Sequence, residues 1–191
     1  MKQTIHILLS LLSCSLLSHG EITQECLNGA IQVPLKPTDN YQIDHNNNEV
    51  IDNKHGLIWS RCLYGTKGDT CSEGLPQSID WDKAFDEPQR LMMLGEQGWR
   101  IPNIIELGSL VDSSCHNPAI NVIAFDSVSK YLNDYTPHYL WSSTSDYSNP
   151  ERVYVLNLLT GAIEVKFKEI QKNITNGVNV GMFYTLLVKS K

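Results

Sequence analysis

The residues best placed to do chemistry are oxygen donors early in the chain. Asp44-x-Asn46-x-Asn48, followed by Asp52, spaces four oxygen-bearing side chains much as a calcium loop does, because a hard cation needs several carboxylate or carbonyl oxygens converging from one tight turn. The pattern is incomplete, since Glu49 stands where such a loop takes Gly and His55 where it takes its closing Glu. An Asn-rich hairpin turn accounts for the same residues without metal. A second set is aromatic. Tyr131, Asn133, Asp134, Tyr135, His138 and Tyr139, with Tyr147 beyond them, combine flat apolar rings with hydrogen-bonding groups. That is the chemistry of a surface that holds a sugar or a protein, so these six are the candidate ligand-binding residues.

Catalytic constellations are missing from the sequence. There is no G-x-S-x-G elbow, no H-E-x-x-H and no phosphate-cradling loop. Cys115 beside His116 imitates a thiol and its base, but adjacent side chains point apart and a disulfide explains the cysteine better. The chain therefore reads as non-enzymatic. No cofactor is called for beyond the candidate calcium ion.

The first twenty residues read as an address. Lys2 precedes an apolar run from Ile5 to Leu17, too short to span a bilayer, and Ser18-His19-Gly20 offers small residues for signal-peptidase cleavage. A lipoprotein box ending at Cys14 is the minority alternative. Export to a secreted, periplasmic or cell-surface location follows from either reading. Removal of the leader takes Cys14 with it and leaves Cys26, Cys62, Cys71 and Cys115 in an oxidising compartment, where two disulfides are the default. Three pairings are open to four cysteines. Cys62 and Cys71 enclose a Gly-containing segment that can close as a small surface loop, which leaves Cys26 for Cys115.

With 191 residues, 41% hydrophobic and 19% charged, the chain can build one packed core. A formal charge of −6 and the lack of any Lys/Arg cluster argue against nucleic acid as a partner. No later stretch approaches a transmembrane segment. The expected organisation is a signal peptide at 1–20, an N-terminal arm at 21–40 tethered by a disulfide, and a single domain at 41–191.

Several elements would position the candidate residues. Residues 41–62 alternate extended segments with turn-formers and predict an antiparallel meander. Ser78 or Asp80 can cap a helix starting near Trp81, which Pro88 should break, kink or restart. Asn103 and Glu106 stand in capping-box relation at the head of a second helix, with Ile104, Leu107 and Val111 on one face. Residues 126–150 read as a long irregular stretch. Beyond it, 152–156 and 162–167 predict a hairpin around Thr160-Gly161 with Glu164, Lys166 and Lys168 on its wet face, and 178–188 a last strand. Trp59 and Trp99 read as core, and Arg100 with Glu106 as a structural pair. The class is α+β.

An ordered set of motifs carries a resemblance. It comprises Asp52-Asn53-Lys54-His55-Gly56-Leu57-Ile58-Trp59-Ser60-Arg61-Cys62, Trp81 with Ala84, Gly98-Trp99-Arg100-Ile101-Pro102-Asn103-Ile104-Ile105-Glu106-Leu107, Cys115-His116-Asn117-Pro118-Ala119-Ile120-Asn121, Trp141-Ser142-Ser143-Thr144 and Leu187-Val188-Lys189. Together these resemble the bacterial secreted domain family named after the C-terminal domain of the Legionella collagen-like adhesin, over most of residues 26–190. The resemblance implies a C-type lectin-like arrangement, also similar to formylglycine-generating enzymes, with two central helices on antiparallel sheets and N- and C-terminal strands meeting. It implies extracellular polysaccharide or a cell-surface protein as partner, in an adhesion-type role. The runner-up is an accessory subunit of a bacterial envelope assembly. This chain departs from the family in lacking a Gly-X-Y repeat, so a homo-oligomer is not imposed, and in having Leu186 where an Arg is common.

Overall fold

The computed structural model describes residues 24–27, 40–93, 97–132, 138–169 and 183–191, with the backbone alone at 89–93. The leader and most of the arm, like part of the candidate loop, lie outside them. In chain order the described elements begin with β1 (Glu25–Cys26), then the meander β2 (Tyr41–Asp44), β3 (Glu49–Asp52) and β4 (Leu57–Ser60), then the short pair β5 (Thr66–Lys67) and β6 (Glu73–Gly74). The helices α1 (Trp81–Met93) and α2 (Ile104–Leu110) follow, then β7 (Cys115–His116) and the one-and-a-half-turn α3 (Asp126–Tyr131). β8 (Tyr139–Asp146), β9 (Asn149–Asn157), β10 (Ile163–Phe167) and β11 (Val188–Ser190) complete the chain. The class is α+β, as read. Among the described residues no helix is long and apolar enough to cross a membrane.

Two antiparallel sheets dominate, in the orders β11-β4-β3-β2 and β10-β9-β8, so the C-terminal strand joins the N-terminal meander. Period-two alternation along β8 and β9 lets the second sheet serve two cores. Trp141, Val153 and Val155 project to one side, where Ala84 of α1, Trp99, Ile101, Phe183 and Leu187 meet them. Leu140 and Leu156 project to the other, against Leu107 and Leu110 of α2, Phe125, and Val50 and Trp59 of the first sheet. Trp59 and Trp99 are core, as their positions suggested.

Disulfides link Cys26 to Cys115 and Cys62 to Cys71. The first accompanies the pairing of β1 with β7, tying the arm to the middle of the domain. The second closes a loop that α3 holds down: Ser127 Oγ accepts from Leu63 N–H and donates to the Arg61 carbonyl, Tyr131 Oη donates to the Cys71 carbonyl at 3.1 Å, and Lys130 reaches the Thr70 carbonyl.

Three expectations need correction. Of the outcomes expected at Pro88, the break does not occur, for helix α1 runs through it. A proline removes one hydrogen bond to the preceding turn, and the burial of the apolar Ala84 and Pro88 offsets that loss. Residues 126–150 are not one irregular stretch, because α3, β8 and the start of β9 lie within it. Aromatic and Ser/Thr-rich sequence suits strands once a neighbour supplies hydrogen bonds, and Ser142 and Thr144 provide them, Ser142 Oγ donating to the Tyr154 carbonyl and Thr144 Oγ1 accepting from Ile104 N–H. Finally, the β9–β10 hairpin forms in the expected register, but its faces are exchanged. Lys166 lies over the Tyr139 ring and Lys168 over Trp81, while Ile163, Val165 and Phe167 face outward. Their long methylene stems let the lysines pack on aromatic surface while keeping the ammonium groups wet.

The capping box at α2 is complete. Asn103 Oδ1 accepts from Glu106 N–H, Glu106 Oε2 accepts from Asn103 N–H, and Arg100 grips both Glu106 oxygens at 2.5 and 2.8 Å. Hydrogen bonds from Arg100 first, and from the Asn103 amide, hold the Glu106 carboxyl below its ordinary value of 4.5 despite partial burial. Asn103→Ala should therefore cost about 1 kcal/mol in denaturant unfolding. Because the folded-state value is the lower one, the stabilisation from Glu106 is present above the unfolded-state value and is lost as pH falls through the folded-state value. The stability gap between the unaltered chain and Glu106→Gln should be widest above about pH 5 and close steadily on acidification; a gap independent of pH would contradict this.

Candidate functional site

The two turns of the meander separate the candidate calcium ligands. Asp44 closes the β2–β3 turn, accepting from Asn46 N–H and Asn47 N–H and from the Asn47 side-chain amide. The Asn47 side chain leads in holding the Asp44 carboxyl below its usual range. Asp52 closes the next turn, where it accepts from Lys54 N–H, His55 N–H and the His55 ring. In the β2–β3 register Asp44 faces Glu49 and Asp52 faces Tyr41. The two carboxylates thus sit at opposite ends of a four-residue ladder, about 10 Å apart along the strands. Alternate spacing produced two Asx turns here instead of one converging loop. Asn46 lies exposed at the first turn, and Asn48 does something different.

Asn48, in the left-handed region at φ 54°, turns its side chain inward, and its Oδ1 is buried without a hydrogen-bond partner. It lines a cavity of about 590 Å³ together with Trp99, Glu87, Gln77, Tyr64 and Thr185. Thr185 Oγ1 is likewise buried and unpartnered. A second cavity of about 400 Å³, bounded by Lys83, Asp86 and Ser78, shares Tyr64, Gln77 and Glu87 with the first, so the two adjoin across Glu87. The walls come from separate parts of the chain: the β2–β3 turn, the disulfide loop after β4, Gln77 ahead of α1, the buried side of α1, Trp99 ahead of α2, and the C-terminal segment before β11. Glu87 is only 6% exposed and Trp99 only 7%. Buried polar atoms beside an aromatic ring, in a concavity within the usual ligand-pocket range of about 300–1,000 Å³, suit a small polyhydroxylated ligand or one unit of a chain.

Arg61 stiffens one rim. Its guanidinium donates to the Asp69 carbonyl and lies 3.6 Å from carboxylates of both Asp69 and Asp126, which pins the Cys62–Cys71 loop between the first sheet and α3.

Of the six tyrosine-loop candidates, three lie among the described residues, and each of these has its own partners. Tyr131 belongs to α3 and spends its hydroxyl on the disulfide loop. Tyr139 opens β8, packs 4.9 Å from Phe183 and donates to Glu164 Oε2 at 3.2 Å. Burial pushes the Glu164 carboxyl up, but hydrogen bonds from Lys166, Asn157 and Tyr139 together hold it below its usual range. His138 precedes β8, where its carbonyl accepts from Leu158 N–H. Asn133, Asp134 and Tyr135 lie outside the described residues. Tyr147 stands fully exposed at the β8–β9 turn.

Glu87, Gln77 and Thr185 are not among the candidate site residues read from the sequence. A readable signal existed for two of them. Glu87 falls on the same helical stripe as Ala84 and Pro88, so an acid sits where the core-facing side demands an apolar residue. Thr185 interrupts the apolar run from Phe183 to Val188. Gln77 carried no such signal.

No curated protein and no solved structure gives a significant match to the chain. The family model described as Lcl C-terminal domain matches residues 48–176, which includes the Asn48 turn, the disulfide loop, Gln77, α1 with Glu87, and Trp99. The chain belongs to the Lcl C-terminal domain family.

Proposed function

We propose that the chain is a secreted or envelope-associated, non-enzymatic binding domain with an adhesion-type role, and that it holds polysaccharide in the paired cavities around Glu87. The observation that carries this reading is that Asn48 and Thr185, each with a buried and unpartnered side-chain oxygen, line a cavity together with Trp99. A buried oxygen without a partner costs about 1–3 kcal/mol, and a side-chain rotation toward the cavity brings it within reach of a ligand hydroxyl that donates to it. The adjoining second cavity extends the site in one direction and favours a chain of sugar units over an isolated one. Family membership supports the adhesin-associated role, and the two disulfides suit an oxidising extracellular setting.

A glycan array probed with the full chain identifies the ligand, and two groups of variants locate the site. Thr185→Val removes a hydroxyl that bonds nothing, so its melting temperature should equal or exceed that of the unaltered chain, while affinity for the selected glycan falls roughly three- to tenfold. Tyr135→Ala and Tyr147→Ala, the latter at a fully exposed turn, should leave that affinity unchanged. Retention of no glycan would defeat the proposal, as would loss of binding in the tyrosine variants with full binding in Thr185→Val.

A further inference from the structure

The outer edge of β10 presents an unusual combination. Among the described residues β10 pairs only with β9, so its other edge carries no strand. Ala162 accepts from Asn157 N–H at 2.8 Å and Lys168 N–H donates to Glu151 at 3.0 Å. Even-numbered positions therefore point their backbone groups toward β9, and alternation in an antiparallel ladder turns the N–H and C=O of Ile163, Val165 and Phe167 outward. The same three residues carry the exposed apolar face, at 52, 37 and 42% exposure. Ile163 lies against Gly108 of α2, and Ile105, one helical turn earlier, is 81% exposed. Exposed edges are ordinarily blunted by proline, a bulge or an outward charge. None of these is present: the five β9–β10 pairs are in unbroken register, and Lys166 is turned back onto Glu164 and the Tyr139 ring.

From this edge we infer that β10 is a self-pairing surface, binding β10 of a second copy of this chain antiparallel about a two-fold axis at Val165. The sequence is self-complementary in that register. Val165 meets Val165 and Ile163 meets Phe167, each in a hydrogen-bonded pair, giving about six reciprocal backbone bonds from groups that already face outward. Glu164 meets Lys166 in the intervening pairs, where opposed side chains approach most closely, so an anion faces a cation twice across the axis. Shifting the register by two residues in either direction would leave Glu164 or Lys166 facing its own kind. Joining the edges makes one six-stranded sheet and sets the exposed Ile163, Val165 and Phe167 side chains against their counterparts across the axis, an isologous contact that closes on itself.

Sedimentation equilibrium on the full chain with both disulfides formed tests the inference through charge exchange. The unaltered chain should show a concentration-dependent dimer. Glu164→Lys and Lys166→Glu, which each place like charges opposite one another, should each weaken it roughly tenfold or more. An equimolar mixture of the two variants restores every Glu–Lys pairing and should recover the dimer, which two misfolded chains could not do. A monomer at all accessible concentrations in the unaltered chain would overturn the inference and leave the edge to another occupant. Single variants as dimeric as the unaltered chain, or a mixture no more dimeric than its components, would overturn it equally.

Discussion

Everything in the domain is arranged around the backbone of residues 183–190, which threads between the two sheets and bonds to both. Phe183 exchanges hydrogen bonds with Ile79; Tyr184 donates to Tyr139 and accepts from Trp141; Thr185 accepts from Tyr64; Leu187 accepts from Ser60 N–H, and Val188 exchanges bonds with Arg100. All six residues from Phe183 to Val188 are buried. A buried segment with polar backbone must find partners along its length, and these are spread over β4, β8 and the connecting segments at Tyr64, Ile79 and Arg100. Phe183 and Leu187 feed one core while Tyr184, Leu186 and Val188 feed the other, so a single strap couples the two clusters.

That constraint also makes the cavity. Thr185 and Leu187 form one wall because the strap passes there, and the Cys62–Cys71 loop forms another because Tyr64 is bonded to the strap on one side and α3 clamps the loop on the other. The pocket is thus assembled from segments far apart in the chain. Its polar atoms are oriented by packing, which is how a binding site gains preorganisation before a ligand arrives. The two disulfides act at the periphery, holding the arm and the loop to this frame.

Local signals in the sequence were read well where they act locally. The capping box at Asn103 and Glu106, the meander and the Thr160-Gly161 hairpin depend on neighbours within a few residues, and all three form as the pattern dictates. The disulfide pairs follow from loop size. What failed did so for tertiary reasons. Pro88 does not end α1 because burial outweighs one lost hydrogen bond. The hairpin's charged face turned inward because Tyr139 and Trp81 offer rings on which Lys166 and Lys168 lie. Tyr131 and Tyr139 take different partners, the disulfide loop and β10, which residue type alone could not tell. Asn48 was noticed for its oxygen, yet its place in a cavity rather than a cation loop depends on Thr185, 137 positions later, which no local pattern could supply.

The central claim is that the strap is an integral part of both sheets and not a tail laid over them. Native-state hydrogen exchange on the full chain measures this directly. The account predicts that the amides of residues 183–188 and those of Ser60, Tyr64, Trp141 and Arg100 exchange together, only through global unfolding. Rapid exchange of 183–188 while β8 and β9 stay protected would contradict it, for the sheets would then stand without the segment said to join them.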